Sequence, residues 1–416
     1  MRQQLHQSNL TGGISLVAER MDHLHSVAVR ILIPAGGIYD PVRKQGLSNF
    51  LTEMMDRGAG NRNSKQLSDA FEGLGIDYSV GAGLQCIAIT ATFLAETLKP
   101  AMELLADVIM RPKLPAKDLG AVKELVKQDI QAIEEEPRRQ VLLELARQHY
   151  PAPFGNDPRG TMDSVESITM QDIEKFHNER IQPNGAVVGI AGNIEFSQIE
   201  DYLNNIFNNW KPVKSQPIKE GKPGQQISHI DKDSEQTHIG LAFPSVRVGD
   251  PDYYGALGLV GILSGGMSGR LFTEVREKRG LCYACWANYT SNREHASIQC
   301  YAGSTTSRAQ ETLEVLVKEL KNASKNLSDD EIERVKVGMR TSLFKQEDSS
   351  AARAYSLSND WFNLKRIRPI EELEESVSAI GTASIKDYMR KHGPNPITLV
   401  SMGRKSLDAG CLSSRK

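Results

Sequence analysis

Apolar positions along this chain recur with two periods, and the shift from one to the other sets out its elements. Leu47, Phe50, Leu51, Met54 and Met55 fall at i, i+3, i+4, i+7 and i+8, which predicts a helix with one apolar face within residues 46–58. Leu98–Met110 carries a similar stripe, and residues 118–134 a longer one that Pro137 is expected to stop. Further helices are predicted over 170–179, capped by Thr169, and over 196–210. Period-two or continuous apolar runs at 27–33, 186–191, 237–243 and 397–402 predict strands. Residues 76–93 read as a hairpin, in which Ala88, Thr90 and Thr92 alternate with apolar neighbours.

The pattern also repeats. Pro34, Asp40, Pro41 and Leu47 recur as Pro244, Asp250, Pro251 and Leu257, at a constant spacing of 210 residues. Thr97-Leu98 and Thr312-Leu313 occupy similar apolar settings in the two halves. Between the halves, residues 211–226 are rich in Pro, Gly and Lys without apolar periodicity, and read as an extended linker. The expected division is an N-terminal domain over 1–210, a linker over 211–235 and a C-terminal domain over 236–416. The expected class is α+β: two homologous α/β sandwich halves, each a mostly antiparallel sheet with helices on one face.

Composition narrows the function. With 416 residues the chain exceeds one ordinary core, and 25% charged with 39% apolar residues is the balance of a soluble globular protein. A net charge of −2 implies no general attraction to nucleic acid or anionic membranes, and no apolar run is long enough to span a bilayer. The first residues lack the apolar core of a secretory signal, and one Arg before Glu19 is a poor presequence, so a cytoplasmic location is expected. Five cysteines, an odd and sparse set, suggest no disulfide framework. Cys282 and Cys285 spell C-x-x-C in a strand-like context, where the two thiols are expected on opposite faces. No pair of the nine His has ligand spacing on a helix. The Gly-rich stretch from Ser264 to Gly269 lacks the phosphate-loop pattern and reads as a flexible turn.

One frame carries chemistry by resemblance. The helix of residues 46–58 resembles the zinc helix of the pitrilysin/insulinase-type metallopeptidases, whose signature is H-x-x-E-H. The ordered landmarks around it are similar to that family's processing-peptidase-like two-domain branch: residues 36–41 before the helix, Pro153-Phe154-Gly155 with Arg159-Gly160-Thr161, Gln182-Pro183-Asn184, Gly192-Asn193, and the run from Leu263 to Tyr283. The resemblance implies paired α+β domains that clamp a peptide in a central chamber. In the family two His hold zinc and the Glu acts as base; here those positions read Asn49, Thr52 and Glu53. The third ligand position falls near Gly120, with Glu124 the nearest spare carboxylate. All ligands and the base are therefore expected to be lost, and no metal is expected on this chain, since oxygen-only pairs such as Asn49 and Glu53 suit zinc poorly.

The resemblance implies other residues that are kept. The family's second half supplies an Arg and a Tyr, seven residues apart, that hold the substrate backbone; Arg276 and Tyr283 match them. Guanidinium forms forked hydrogen bonds to a carbonyl or carboxylate, and a phenol donates to a carbonyl gaining charge. Residues 78–81 match an edge strand that pairs with extended peptides. Three functions are thereby framed. The first is a non-catalytic subunit of a heterodimer, anchoring an unstructured peptide for a homologous partner that carries H-x-x-E-H and the zinc. The second is a non-enzymatic scaffold or peptide-binding protein. The third, an autonomous peptidase, requires a metal site that the sequence does not offer.

Overall fold

The alternating apolar residues build two sheets, seen in a computed structural model that describes residues 3–214 and 217–413. Ser215 and Gln216 of the expected linker, with the first two and last three residues of the chain, lie outside the described residues. The first sheet holds β1 (Gln4–Asn9), β2 (Ser15–Arg20), β3 (Ser26–Ile33), β4 (Asp77–Ala82), β5 (Ile87–Leu94) and β6 (Val187–Gly192). Its order is β1-β2-β6-β3-β5-β4, antiparallel except where β2 meets β6. The second holds β7 (Ile227–Asp231), β8 (Gln236–Pro244), β9 (Cys282–Ser291), β10 (Ala296–Thr305) and β11 (Thr398–Gly403). Its order is β9-β10-β8-β11-β7, with only β11 and β7 parallel.

Strand for strand, β2-β6-β3-β5-β4 and β7-β11-β8-β10-β9 follow one topology, as a duplicated unit requires. The fold is α+β, with two homologous halves. The second repeat begins earlier than the apolar pattern indicates, because β7 lies inside residues 211–235. That strand is an edge with no fully buried residue, so its apolar signal is weak.

In the first unit, Val27, Val29, Ile31, Ile33, Ile87, Ile89 and Phe93 turn one face of the sheet toward helices Leu47–Met55, Leu98–Met110, Met170–Arg180 and Phe196–Ile206. The opposite face is not bare. Val17, Ala28, Leu32, Val187 and Ala191 pack against Ala354, Leu357 and Phe362 of helix Ser350–Leu364. In the second unit, Ala242, Val400 and Met402 pack against Val141 and Leu145 of helix Pro137–His149. Each unit thus takes a helix from the other half of the sequence. The first comprises residues 1–132, 156–219 and 344–370, and the second 133–155, 220–343 and 371–416. The contiguous division expected from the sequence lacks this exchange.

Glycine allows the close approach. A Cβ on Gly189 of β6 would meet the Ala354 carbonyl oxygen at 2.8 Å, and one on Gly240 of β8 would meet Val141 at 2.8 Å. Pro137 also plays a second part: the preceding helix ends at Glu134, and Pro137 opens the next at its first position, where its missing N–H costs nothing. The helix expected over 196–210 ends at Ile206, and Trp210 is instead buried with its indole N–H on the Ile181 carbonyl at 3.0 Å. Among the described residues no helix is long and apolar enough to cross a membrane.

Candidate functional site

The expected apolar face forms on helix Leu47–Met55, and Leu47, Phe50, Leu51, Met54 and Met55 are all buried. Asp40 starts the helix: its carboxylate accepts from the Gly46 N–H at 2.7 Å and the Ser48 N–H at 2.9 Å. These bonds satisfy donors that a helix N-terminus leaves open. Asn49 and Glu53 lie on the half-exposed side, one turn apart, while Thr52 is 2% exposed. The Thr52 hydroxyl donates back to the Asn49 carbonyl at 2.7 Å, so it is used within the helix.

Around Glu53 two acids outweigh one cation, Arg57. Burial first, then the charges of Asp56 and Asp129, hold its carboxyl above the usual range. The acid on helix Leu119–Glu134 that acts on Glu53 is therefore Asp129, rather than a residue at Gly120 or Glu124. A side chain at Gly120 would stand in open space, and Glu124 pairs with Lys127 at 3.2 Å. Beside the helix, β4 is the terminal strand of its sheet, so one backbone edge is open. The Tyr78 hydroxyl fastens that strand to the helix end by donating to Asp56 at 2.9 Å.

In the second unit, helix Tyr253–Ser264 ends at the Gly-rich turn, and a π-helical segment, Phe272–Glu277, follows. Such segments are rare and often mark functional sites. Arg276 is exposed on it, with its guanidinium 4.8 Å from the Phe272 ring centre. Glu274, two residues before it, is already held by Lys278 at 2.6 Å and Arg279 at 2.8 Å, and Glu277, next to it in sequence, is exposed. No carboxylate among the described residues pairs with Arg276. This differs from its setting in sequence, where five of six consecutive positions from Glu274 are charged.

The π-helical segment packs on β9, and the Gly280 and Leu281 N–H groups return to the Arg276 and Val275 carbonyls at 2.9 and 3.0 Å. Tyr283 stands near the start of β9 and is 73% exposed. It owes that position to a β-bulge: Cys282 pairs with Ser304 and Ala284 with Gly303, leaving Tyr283 as the extra residue. The bulge also overturns the expectation for the two thiols. It removes one step of alternation, so Cys282 and Cys285 both face the core. The charge of Arg276 acts on both, which places it beside the segment that presents Tyr283.

Comparison with known proteins bears on the family and the fold. A family model described as insulinase (peptidase family M16) matches residues 16–157, and one described as peptidase M16 inactive domain matches residues 167–339. The chain belongs to peptidase family M16. Among the family's curated members, an uncharacterized zinc protease of Rickettsia felis is 25% identical, over 94% of this chain and 95% of its own. The uncharacterized zinc protease YmxG of Bacillus subtilis is 23% identical, over 91% and 93%. Two crystal structures share the fold. One, a peptidase M16 inactive domain from Pseudomonas fluorescens, has a TM-score of 0.88 at 23% identity, over 97% of this chain and 99% of that one. The other, a protease from Helicobacter pylori, scores 0.87 at 16%, over 97% and 100%.

Zinc does not fit the donors this helix frame offers. The frame supplies an amide, an engaged hydroxyl and one carboxylate, with no imidazole. Zinc takes four ligands drawn mainly from His, Cys and carboxylate. Among the described residues, no group of three or more His, Cys, Asp or Glu is arranged to hold a metal. Sequence reasoning missed the bulge, the π-helical segment and Asp129. Of these only Asp129 left a signal, as the second residue of the Gln128-Asp129-Ile130 segment.

Proposed function

We propose that this chain is the non-catalytic subunit of a heterodimeric zinc peptidase. In this reading a homologous partner carries H-x-x-E-H and the metal, and this chain anchors the peptide through Arg276 and Tyr283. The observation that carries it is the state of Arg276: an exposed guanidinium without a carboxylate partner among the described residues, on a segment packed against the strand that carries the exposed Tyr283. Both groups are free to donate to a peptide carbonyl or a terminal carboxylate. Of its two acidic neighbours, Glu274 pairs with Lys278 and Arg279, and neither Glu274 nor Glu277 pairs with Arg276 among the described residues. The match to the family's inactive domain over residues 167–339 supports a chain that does not itself cleave.

The open edge of β4 favours a second reading, a peptide-binding protein without any catalytic partner. Backbone pairing along that edge needs neither metal nor a particular side chain. One experiment separates the two. A quenched fluorescent peptide library is offered to this chain alone, to this chain with an H-x-x-E-H homologue from the same genome, and to that mixture with Arg276→Ala and Tyr283→Phe. Cleavage only by the intact mixture, reduced by the substitutions, supports the complementing subunit. A stable complex that cleaves nothing, or cleavage indifferent to both substitutions, overturns it. Chelator-sensitive cleavage by this chain alone would restore the third function, an autonomous peptidase.

A further inference from the structure

The bulge in β9 makes a chemical site of two cysteines. Cys282 is 7% exposed and belongs to the core of the second unit, and Cys285 is half-buried against the same core. Both are free thiols on one face of the strand, and each acts on the titration of the other. The residue between them that lacks a cross-strand partner is Tyr283. A disulfide needs its sulfurs at about 2.05 Å, closer than two thiols in contact. An unpaired bulge residue is where a strand can give up that distance without breaking its ladder.

We propose that Cys282 and Cys285 form a redox-active dithiol, which a peroxide oxidises to a disulfide that pins the bulge carrying Tyr283. In the first step the Cys282 thiolate attacks a peroxide oxygen. The O–O bond breaks, Cys282 becomes a sulfenic acid, and the second oxygen leaves as hydroxide, which takes up a proton. The Cys285 sulfur then attacks the sulfenic sulfur. The S–O bond breaks, the S–S bond forms, and the departing hydroxide leaves as water with the Cys285 proton. The pair has lost two electrons and two protons, and the peroxide has become two waters. A thiol reductant returns both cysteines.

The surroundings select this pair. The neighbouring Cys285 thiol, helped by the Arg276 charge, holds the Cys282 thiol below its ordinary value and so favours the reactive thiolate. Cys300, pushed up by complete burial, does not compete. Paired thiols of this kind are the reversible, sensing type of disulfide.

The test reads the thiols alone and is independent of peptide anchoring. The reduced full chain is treated with hydrogen peroxide, alkylated, digested with trypsin and mapped by mass. The tryptic peptide 280–293 is expected to lose two hydrogens and both alkylation sites, leaving three of the five cysteines alkylated, and dithiothreitol is expected to restore it. Amide exchange over residues 281–286 is expected to slow in the oxidised chain. Cys285→Ser is expected to stop at a sulfenic acid on Cys282, trapped by dimedone. Two alkylatable cysteines after peroxide, or a sulfinic acid on Cys282 beside an intact Cys285 thiol, would overturn the proposal. A disulfide that leaves amide exchange unchanged would overturn the pinning.

Discussion

Arg353 donates through Nε to the Glu19 carboxylate at 2.6 Å, and with 1% of the arginine exposed this pair is sealed from water. It joins helix Ser350–Leu364 to β2, elements more than 300 residues apart in sequence. Glu19 also accepts from the Gln3 side chain at 2.7 Å, whereas the Arg353 Nη1 and Nη2 atoms have no partner among the described residues. Removing one charge leaves the other buried alone, which typically costs about 3–5 kcal/mol. Glu19→Gln and Arg353→Met should each lower the urea midpoint strongly. The double variant should recover most of the loss, and a double-mutant cycle by equilibrium unfolding checks this.

His149 makes stability depend on pH. Its ring shares a hydrogen bond with the Thr398 hydroxyl at 2.9 Å, and burial, with a smaller push from His295, lowers it to about 4. The unfolded chain binds this proton near pH 6.5, so between about 6.5 and 4 the unfolded state holds more protons than the folded one. Stability therefore falls as pH falls through that window, by up to about 3 kcal/mol from this group. His149→Gln should flatten the fall in Tm between pH 7 and 5. An unchanged slope would mean that other groups carry it.

The two results show what the sequence makes legible. Helix Leu47–Met55 could be read because its five buried apolar residues are close together and share one period. The strands around Pro34 and Pro244 could be read twice, once in each repeat. Helix Ser350–Leu364 could not be assigned to its sheet, because an apolar stripe says that a face is buried and not against what. Nothing local distinguishes Val141 and Leu145, which cover the second unit's sheet, from residues packing within the first half. The bulge at Tyr283 is a property of two strands in register, so the alternation in β9 alone placed Cys285 on the wrong face.

The helix that resembles a zinc helix is closed at one of its three positions. Thr52, which the resemblance sets at the base position, is buried with its hydroxyl spent on the Asn49 carbonyl. Thr52→Glu would force a carboxylate into that space beside Glu53, at an expected cost of about 2–4 kcal/mol, read from the urea midpoint. The unaltered chain, equilibrated with zinc and then gel-filtered, should retain far less than one zinc per chain by elemental mass spectrometry. A chelator should leave its Tm unchanged. Stoichiometric zinc, or a Tm that falls on chelation, would show that this donor set had been misjudged.

Arg276 and Tyr283 should separate function from stability. Both are exposed, so Arg276→Ala and Tyr283→Phe should shift the unfolding free energy by no more than about 0.5 kcal/mol. Their effect on cleavage by the proposed heterodimer should be far larger, about a hundredfold for a lost donor to a carbonyl gaining charge. Arg276→Lys is the informative intermediate. It keeps the charge and loses the fork, so a loss close to that of alanine means that two-point recognition carries the anchor. Full activity in Arg276→Lys would reduce the role to electrostatic attraction. That attraction should then weaken as salt rises, because Arg276 stands in solvent. Steady-state kinetics of the mixture at low and high salt, with each variant's Tm measured alongside, distinguish the two.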